Sequence, residues 1–248
     1  MKNPLISIII ANWNGSEVIG PCLKSIFQSN FKNFEVVIVD NGSTDGSLEY
    51  LEKLEQEKKI ILSKNKTNLG YAMAINQGAQ CAKGELLFFL NSDTTIEKNC
   101  LDEIAKGFQE SIWAAQCKIR QMDRREEIQT LGTLLVPGLA IVIGKKGRGE
   151  KDRGQYDKRQ PVISSGAAQV IRAEVFERLG QFDSDYFAGY EDIDLAYRIY
   201  LAKKEVILLP QAIAYHRDHT KYPMSKLRAK IGAFQTLKNV LLFMIRNY

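Results

Sequence analysis

Paired cysteines are missing from this sequence. Its four (Cys22, Cys81, Cys100 and Cys117) are scattered, with no C-x-x-C and no metal-like spacing. They read as buried thiols of a reducing compartment, which excludes a disulfide framework and a zinc-ribbon site. Histidine is nearly absent as well: His216 and His219 are the two in the chain. No G-x-S-x-G elbow is present, so Ser/His/Asp hydrolysis lacks support. No P-loop and no G-x-G-x-x-G after a strand occur, which weakens ATPase and dinucleotide-redox readings. No apolar run approaches the roughly 20 residues of a membrane span. The start, "MKNPLISIII", lacks the layout of a secretory signal, so a cytosolic protein is expected. Internal repeats and Pro/Ser linkers are also missing.

What is present is an ordinary globular composition over 248 residues, 45% hydrophobic and 25% charged. The net charge of +5 is uneven. Residues 144–160 hold seven Lys/Arg against three Asp/Glu, and the stretch after Asp218 holds six Lys/Arg and no acid. The remaining body is therefore acidic and carries two basic appendages.

Apolar, β-branched runs at 5–10 and 34–40 predict strands buried on both faces, with a third strand at 59–64 and a fully apolar fourth at 86–90. Helical spacing follows each of them: Val18–Phe27, Leu48–Leu54 with Ser43 or Thr44 as N-cap, 68–84, and Leu101–Phe108. Such alternation with short loops implies an α/β fold with a mostly parallel central sheet flanked by helices. Ligands of such sheets bind beyond the carboxyl ends of the strands. Polar clusters stand there: Asn12-Trp13-Asn14, Asp40 to Asp45, and Asn91-Ser92-Asp93. Residues 120–160 are Gly-rich, charged and aperiodic, an insertion or flap in which "TLLVPGLAIVIG" (133–144) finds no place. Helices at 173–179 and 191–202 then precede a strand at 205–209.

The densest acidic spot is "YEDIDLAYR", with Glu191, Asp192 and Asp194 at a predicted helix start. Two readings stand side by side. The acids complement the helix dipole, or one of them, held rigidly, accepts a proton from a bound hydroxyl.

Taken in order, "ISIIIANWNG", "EVVIVDNGSTDGS", "NLGYAMAINQG", "LLFFLNSDT", "SSGAAQVIRAEVFERLGQFDSDYFAGYEDIDLAYR" and "AYHRDH" resemble the family 2 glycosyltransferases. The nearest likeness is to rhamnosyltransferase-like members that build bacterial surface polysaccharides. The resemblance covers residues 5–119 and 162–219. It implies a GT-A fold, a nucleotide-diphospho-sugar donor and an inverting transfer to a saccharide or lipid-linked acceptor. It also implies residue roles. Asn12 and Asp40 line the nucleotide pocket, Asp40 accepting the N3–H of a uracil or thymine ring, and Trp13 packs near the base. Asn68 and Gly70 lie close to the ribose or diphosphate, and Asn91, Ser92 and Gly166 join the substrate-binding set. Asp93 and His216 hold a divalent metal, Mn²⁺ or Mg²⁺. Asp192 is the general base with Glu191 beside it, and Arg198 faces the leaving diphosphate. Asn91 departs from the pattern, standing where the first acid of the metal-binding D-x-D motif belongs.

On this reading residues 1–219 form one GT-A domain: a nucleotide-sugar half (1–119), the segment 120–160, and an acceptor half (161–219). Residues 220–248 form a basic amphipathic helix, with Met224, Leu227, Ile231, Phe234, Leu237, Leu241 and Met244 three or four apart. Its apolar side packs on the body or a dimer partner, or lies on anionic lipid at the inner face of the membrane. Nucleic acid is set aside, since no recognition fold accompanies the charge. Two alternatives remain. A sugar-1-phosphate nucleotidyltransferase needs a basic Gly-rich loop after its first strand, and "NWNGSEVIG" has no Lys or Arg. A non-catalytic sugar-nucleotide-binding protein draws its support from Asn91.

Overall fold

A computed structural model describes residues 6–108, 111–136, 141–164, 166–217 and 226–247. The first half alternates as its apolar runs require. It comprises β1 (Ile6–Asn12), α1 (Ile19–Phe27), β2 (Phe34–Asp40), α2 (Ser47–Gln56), β3 (Ile61–Lys64), α3 (Tyr71–Cys81) and β4 (Leu86–Leu90). Strands β3, β2, β1 and β4 lie side by side in that order, all parallel. Side chains alternate between two cores. Ile6, Ile8 and Ile10 of β1 join Leu86, Phe88 and Leu90 of β4 in one, under α1. Ile9, Leu87 and Phe89 enter the other, under α3. Each such fully buried side chain contributes roughly 1.5–3 kcal/mol. Continuous apolarity is therefore the sequence's way of being covered on both faces.

Beyond β4 the chain adds β5 (Thr94–Ile96), α4 (Cys100–Gly107), β6 (Ala114–Gln121), β7 (Ile128–Thr130), β8 (Thr133–Val136) and β9 (Ile141–Lys145). It continues with β10 (Pro161–Val162), β11 (Ala168–Arg172), α5 (Ala173–Arg178), α6 (Glu191–Leu201), β12 (Val206–His216) and α7 (Lys226–Asn247). Strand β11 inserts antiparallel between β4 and β6, and β12 runs parallel to β6 on its far side. The sheet is thus more mixed than the early alternation implies, because the returning β11 carries no crossover helix of its own. Strand β12 is also longer than the expected 205–209: a bulge between Leu209 and Ile213 carries pairing through Pro210 to His216.

Other expectations need correction. The stretch 133–144, whose strands or hairpin cannot be placed from sequence, contributes β8, which pairs antiparallel with β9. Helix α2 starts at Ser47 behind a left-handed Gly46, not behind Ser43 or Thr44. The Ser43 hydroxyl is engaged elsewhere, donating to Asp40 at 2.7 Å, while Asp45 accepts from the Ser47 N–H and hydroxyl. Cys22, Cys100 and Cys117 are buried, but Cys81 is exposed at the end of α3. His219 and Met224 lie outside the described residues. Among the described residues, no helix is long and apolar enough to cross a membrane.

Residues 120–160 are stitched to the sheet. Strand β7 pairs with β6, and Asp152 reaches back to β6, where Lys118 Nζ lies 2.8 Å and Arg120 Nη2 2.6 Å from its Oδ2. Lys118 and Asp152 are both almost wholly buried, so each charge depends on the other. Asp152→Ala, which leaves the Lys118 ammonium with the half-exposed Asp157 as its remaining carboxylate, should destabilise the fold by about 3 kcal/mol in urea unfolding. Asp157→Ala should cost less than half of that.

Candidate functional site

The carboxyl ends of β1 and β4, with the turn after β2, open onto a cleft of about 790 Å³. Asn12, Trp13, Asn68, Gly70, Asn91, Ser92, Asp93 and His216 all line it, so most of the residues singled out from sequence converge in space. The register of the strands explains this: Asn12 pairs with Asp40 at the last rung of β1 and β2. Leu90 is the last rung of β4, so Asn91, Ser92 and Asp93 emerge where the apolar cover stops.

Asp40 itself is fully buried. Its Oδ2 accepts from Asn12 Nδ2 and the Ser43 hydroxyl, and its Oδ1 from the N–H groups of Gly42 and Ser43. The carboxylate braces the turn that shapes the pocket, and Asn41, its neighbour, is the residue on the cleft wall. Asn41 in turn donates to the Gly70 carbonyl at 3.1 Å. Gly70 has φ +90°, and a Cβ there would meet the Phe187 carbonyl oxygen at 2.4 Å. Glycine at 70 therefore lets the loop before α6 press against the start of α3, where the Tyr71 N–H donates to Phe187 O at 2.6 Å.

Arg198 does not reach the cleft. Its guanidinium donates to Asp194 at 2.9 Å and to the carbonyls of Leu179 and Gln181, locking α6 to the end of α5. The guanidinium that does line the cleft is Arg217, one residue past His216. Sequence spacing hid this because β12 runs longer than its apolar run at 205–209.

Asp93 and His216 come together across the cleft floor, Oδ1 to Nε2 at 3.2 Å. On the other side of the ring, His216 Nδ1 lies 2.8 Å from Oε1 of the buried Gln129, on β7. An amide oxygen only accepts, so Nδ1 carries the hydrogen of that bond and Nε2 is the nitrogen left facing the carboxylate. The arrangement is balanced when a proton or a cation stands between Nε2 and Asp93. A divalent ion fits this donor pair: two neighbouring ligands of an octahedral ion with bonds near 2.1 Å are about 3 Å apart. Among the described residues no cluster of three or more His, Cys, Asp or Glu side chains surrounds a common point. Oxygens of a bound ligand would therefore fill most of the shell. Gln129 was invisible in sequence because it sits in the aperiodic segment, 87 positions from the ring it orients.

The second acidic group stands at the start of α6. Tyr190, just before it, is left-handed at φ 75° although it is not glycine, a costly conformation held by its surroundings. Glu191 and Asp192 are both buried. Burial, joined by the charge of Asp192, pushes Glu191 up to about 8. Burial raises Asp192 too, opposed by the N–H groups of Gly166 and Ile193, which donate to its two oxygens. Gly166 thus acts as a backbone donor to the acid. Among the described residues Glu191 Oε2 has no hydrogen-bond partner, so the shared proton belongs on Glu191 and the negative charge on Asp192. Burial first, then the charges of Glu191, Asp192 and Asp93, also raise the Tyr71 hydroxyl, a cleft residue that feels both acidic groups.

The sequence model described as "Glycosyl transferase family 2" matches residues 7–180. A poly-beta-1,6-N-acetyl-D-glucosamine synthase of Staphylococcus epidermidis is 23% identical over 212 residues, 85% of this chain and 49% of that protein. Among solved structures, S. aureus TarS 1-349 in complex with UDP-GlcNAc superposes with a TM-score of 0.64 at 20% identity, over 89% of this chain and 62% of that one. The mannosyltransferase PcManGT from Pyrobaculum calidifontis, in complex with GDP-Man and Mn²⁺, gives 0.68 at 19% identity, over 100% and 66%. The chain spans less than half the length of the curated relatives it matches.

Because burial raises Glu191 above its ordinary value of 4.5, its protonated form favours the folded state. That contribution is complete below pH 4.5 and is lost as pH rises through about 8. Glu191→Gln, which cannot ionise, should match the parent in urea unfolding at pH 5 and exceed it at pH 9 by about 2 kcal/mol or more. Equal stability at both pH values would assign the buried proton elsewhere.

Proposed function

The chain belongs to glycosyl transferase family 2, and from that premise we propose that it passes a sugar from a uridine or thymidine diphosphate donor to a saccharide or lipid-linked hydroxyl with inversion. Its architecture is of the GT-A type. The observation that carries the reading is a pair of acidic groups of different character: Asp93 lines the cleft, while Glu191 and Asp192 lie behind its lining and meet it at Tyr71, whose hydroxyl both groups act on. Asp93 pairs with an imidazole on the floor, and Asp192 waits at the head of α6 as a buried anion beside a protonated neighbour.

In this mechanism Trp13 and the wall formed by Asn12 and Asn41 take the base, over the turn that Asp40 braces. Asn68 and Gly70 flank the ribose and diphosphate. Asp192 accepts the proton of the acceptor hydroxyl as its oxygen bonds to the anomeric carbon, and the nucleoside diphosphate leaves from the opposite face. Arg217 gives the leaving group a positive neighbour. Asp93 and His216 would hold Mn²⁺ or Mg²⁺, which when bound supplies Lewis-acid charge at the diphosphate. Asn91 brings no charge to that site, so His216 and its orientation by Gln129 matter more than they would beside two acids. Residues 1–119 are the donor half and 161–219 the acceptor half, with 120–160 supplying Gln129 between them.

The likeness to a polysaccharide synthase supports a role in cell-surface polysaccharide assembly, with rhamnose or another hexose as the sugar. A lipid-linked acceptor would place the protein at the inner face of the membrane, touching it through residues 220–248.

Asp192→Asn should lower transfer at least about a hundredfold while calorimetric binding of the nucleoside diphosphate stays within about twofold of the parent. Retained turnover would remove Asp192 as the base. Gln129→Leu should weaken Mn²⁺, titrated in the presence of UDP, by about 10- to 100-fold. If neither UDP nor thymidine diphosphate binds with or without Mn²⁺, the donor assignment fails.

A further inference from the structure

Helix α7 is amphipathic, yet it turns the wrong side to the body. Phe234, Leu237, Leu241 and Ile245 are 71, 59, 50 and 79% exposed, and Met244 is exposed beside them. The face that packs is mostly polar and aromatic. Buried Asn239 donates through Nδ2 to the carbonyls of Ala188 at 3.0 Å and Gly189 at 2.6 Å. Buried Phe243 meets the rings of Tyr190 and Tyr197 at 6.2 and 5.4 Å. Lys238 donates to the Asp185 carbonyl at 2.9 Å, and Arg246 pairs with Asp183 and Asp185.

Every one of those inner contacts falls on residues 183–190 or on α6. That loop brings Phe187 and Ala188 to the cleft, ends in two successive left-handed residues, Gly189 and Tyr190, and launches Glu191 and Asp192. Two anchors hold it: the bond to Tyr71 on the cleft side, and α7 on the other.

We propose that α7 docks by its outward apolar stripe on an anionic lipid bilayer and, once docked, fixes the 183–190 loop in the form that presents the acids of α6 to the cleft. Charge selects the occupant. The chain after Asp218 has no acid, and of its six Lys/Arg, Lys238 and Arg246 are engaged with the body, which leaves at most four cations for a partner. Two copies meeting stripe to stripe would bring only like charges together, whereas anionic headgroups match them. At 22 residues the helix is about 33 Å long, enough to lie along the interface. The inference rests on the glycosyltransferase reading for its purpose, since a lipid-linked acceptor is met at that surface, but not for its test.

The test uses the full chain with vesicles of phosphatidylcholine alone or mixed with phosphatidylglycerol. The parent should sediment with the anionic vesicles at least about tenfold more tightly than with the neutral ones, and less so as salt rises. Leu237→Asp/Leu241→Asp should lose about tenfold or more of that affinity and still bind UDP as the parent does. Hydrogen exchange of residues 185–192 should slow when the parent binds vesicles. The proposal is overturned if the parent ignores anionic vesicles, if the double variant binds them equally well, or if the loop's exchange is unchanged by binding. A dimer in light scattering that the same double variant dissolves would give the stripe to a second copy and overturn it too. Loss of UDP binding in the parent sinks the donor assignment and leaves the docking result standing.

Discussion

Burial of β1, β2 and β4 on both faces is the constraint from which the rest of the molecule follows. A strand with Ile8 in one core and Ile9 in the other has no side of its own to spare for chemistry. Ser7, inside β1, commits its hydroxyl to Glu35 and the Gly84 N–H; polar groups open to a ligand appear where the cover ends, and in parallel neighbours those ends fall together. Asn12, Asn41 and Asn91 stand at or just past that limit, and their gathering at one cleft is a consequence of packing. The same packing sets Asp40 aside as a brace, since the rung it shares with Asn12 lies inside the protein.

The proposed mechanism depends on pairs in which one partner disciplines the other. Asp93 gains a neighbour in His216, whose ring is turned by Gln129. Asp192 keeps its charge because Gly166 and Ile193 donate to it, while Glu191, whose Oε2 lacks a hydrogen bond among the described residues, takes the proton. In each case one contributor comes from a segment distant in sequence, His216 for Asp93 and Gly166 for Asp192. Both pairs also sit on elements that the second half of the chain wraps onto the first: β7 and β12 for the imidazole, and the turn before β11 for Asp192.

The parts of the site that were legible in the sequence are those carried by local pattern. Apolar runs ending in Asn-Trp-Asn, Asp-Asn-Gly-Ser and Asn-Ser-Asp announce strand ends, and period and length alone place them in one row. Arg198 shows where that logic fails. Its proximity to the acidic cluster suggested a role toward a diphosphate, but one helical turn from Asp194 it closes an i,i+4 pair instead. Arg217, invisible by pattern, takes the cleft because a bulge lets β12 run on past Pro210. The outward stripe of α7 is a similar case: its periodicity was plain, but which side would face the body was not.

The sequence by itself determined the two-sided core, the row of polar strand ends and the identity of the acids, because burial and spacing along one strand or helix are local properties of the chain. The tertiary structure decided which carboxylate braces and which one faces the cleft, which nitrogen of His216 meets Asp93, and which face of α7 stays open. Those outcomes turn on contacts such as Gln129 with His216 and Asn239 with Ala188, 87 and 51 residues apart. No period in the chain encodes a distance of that kind.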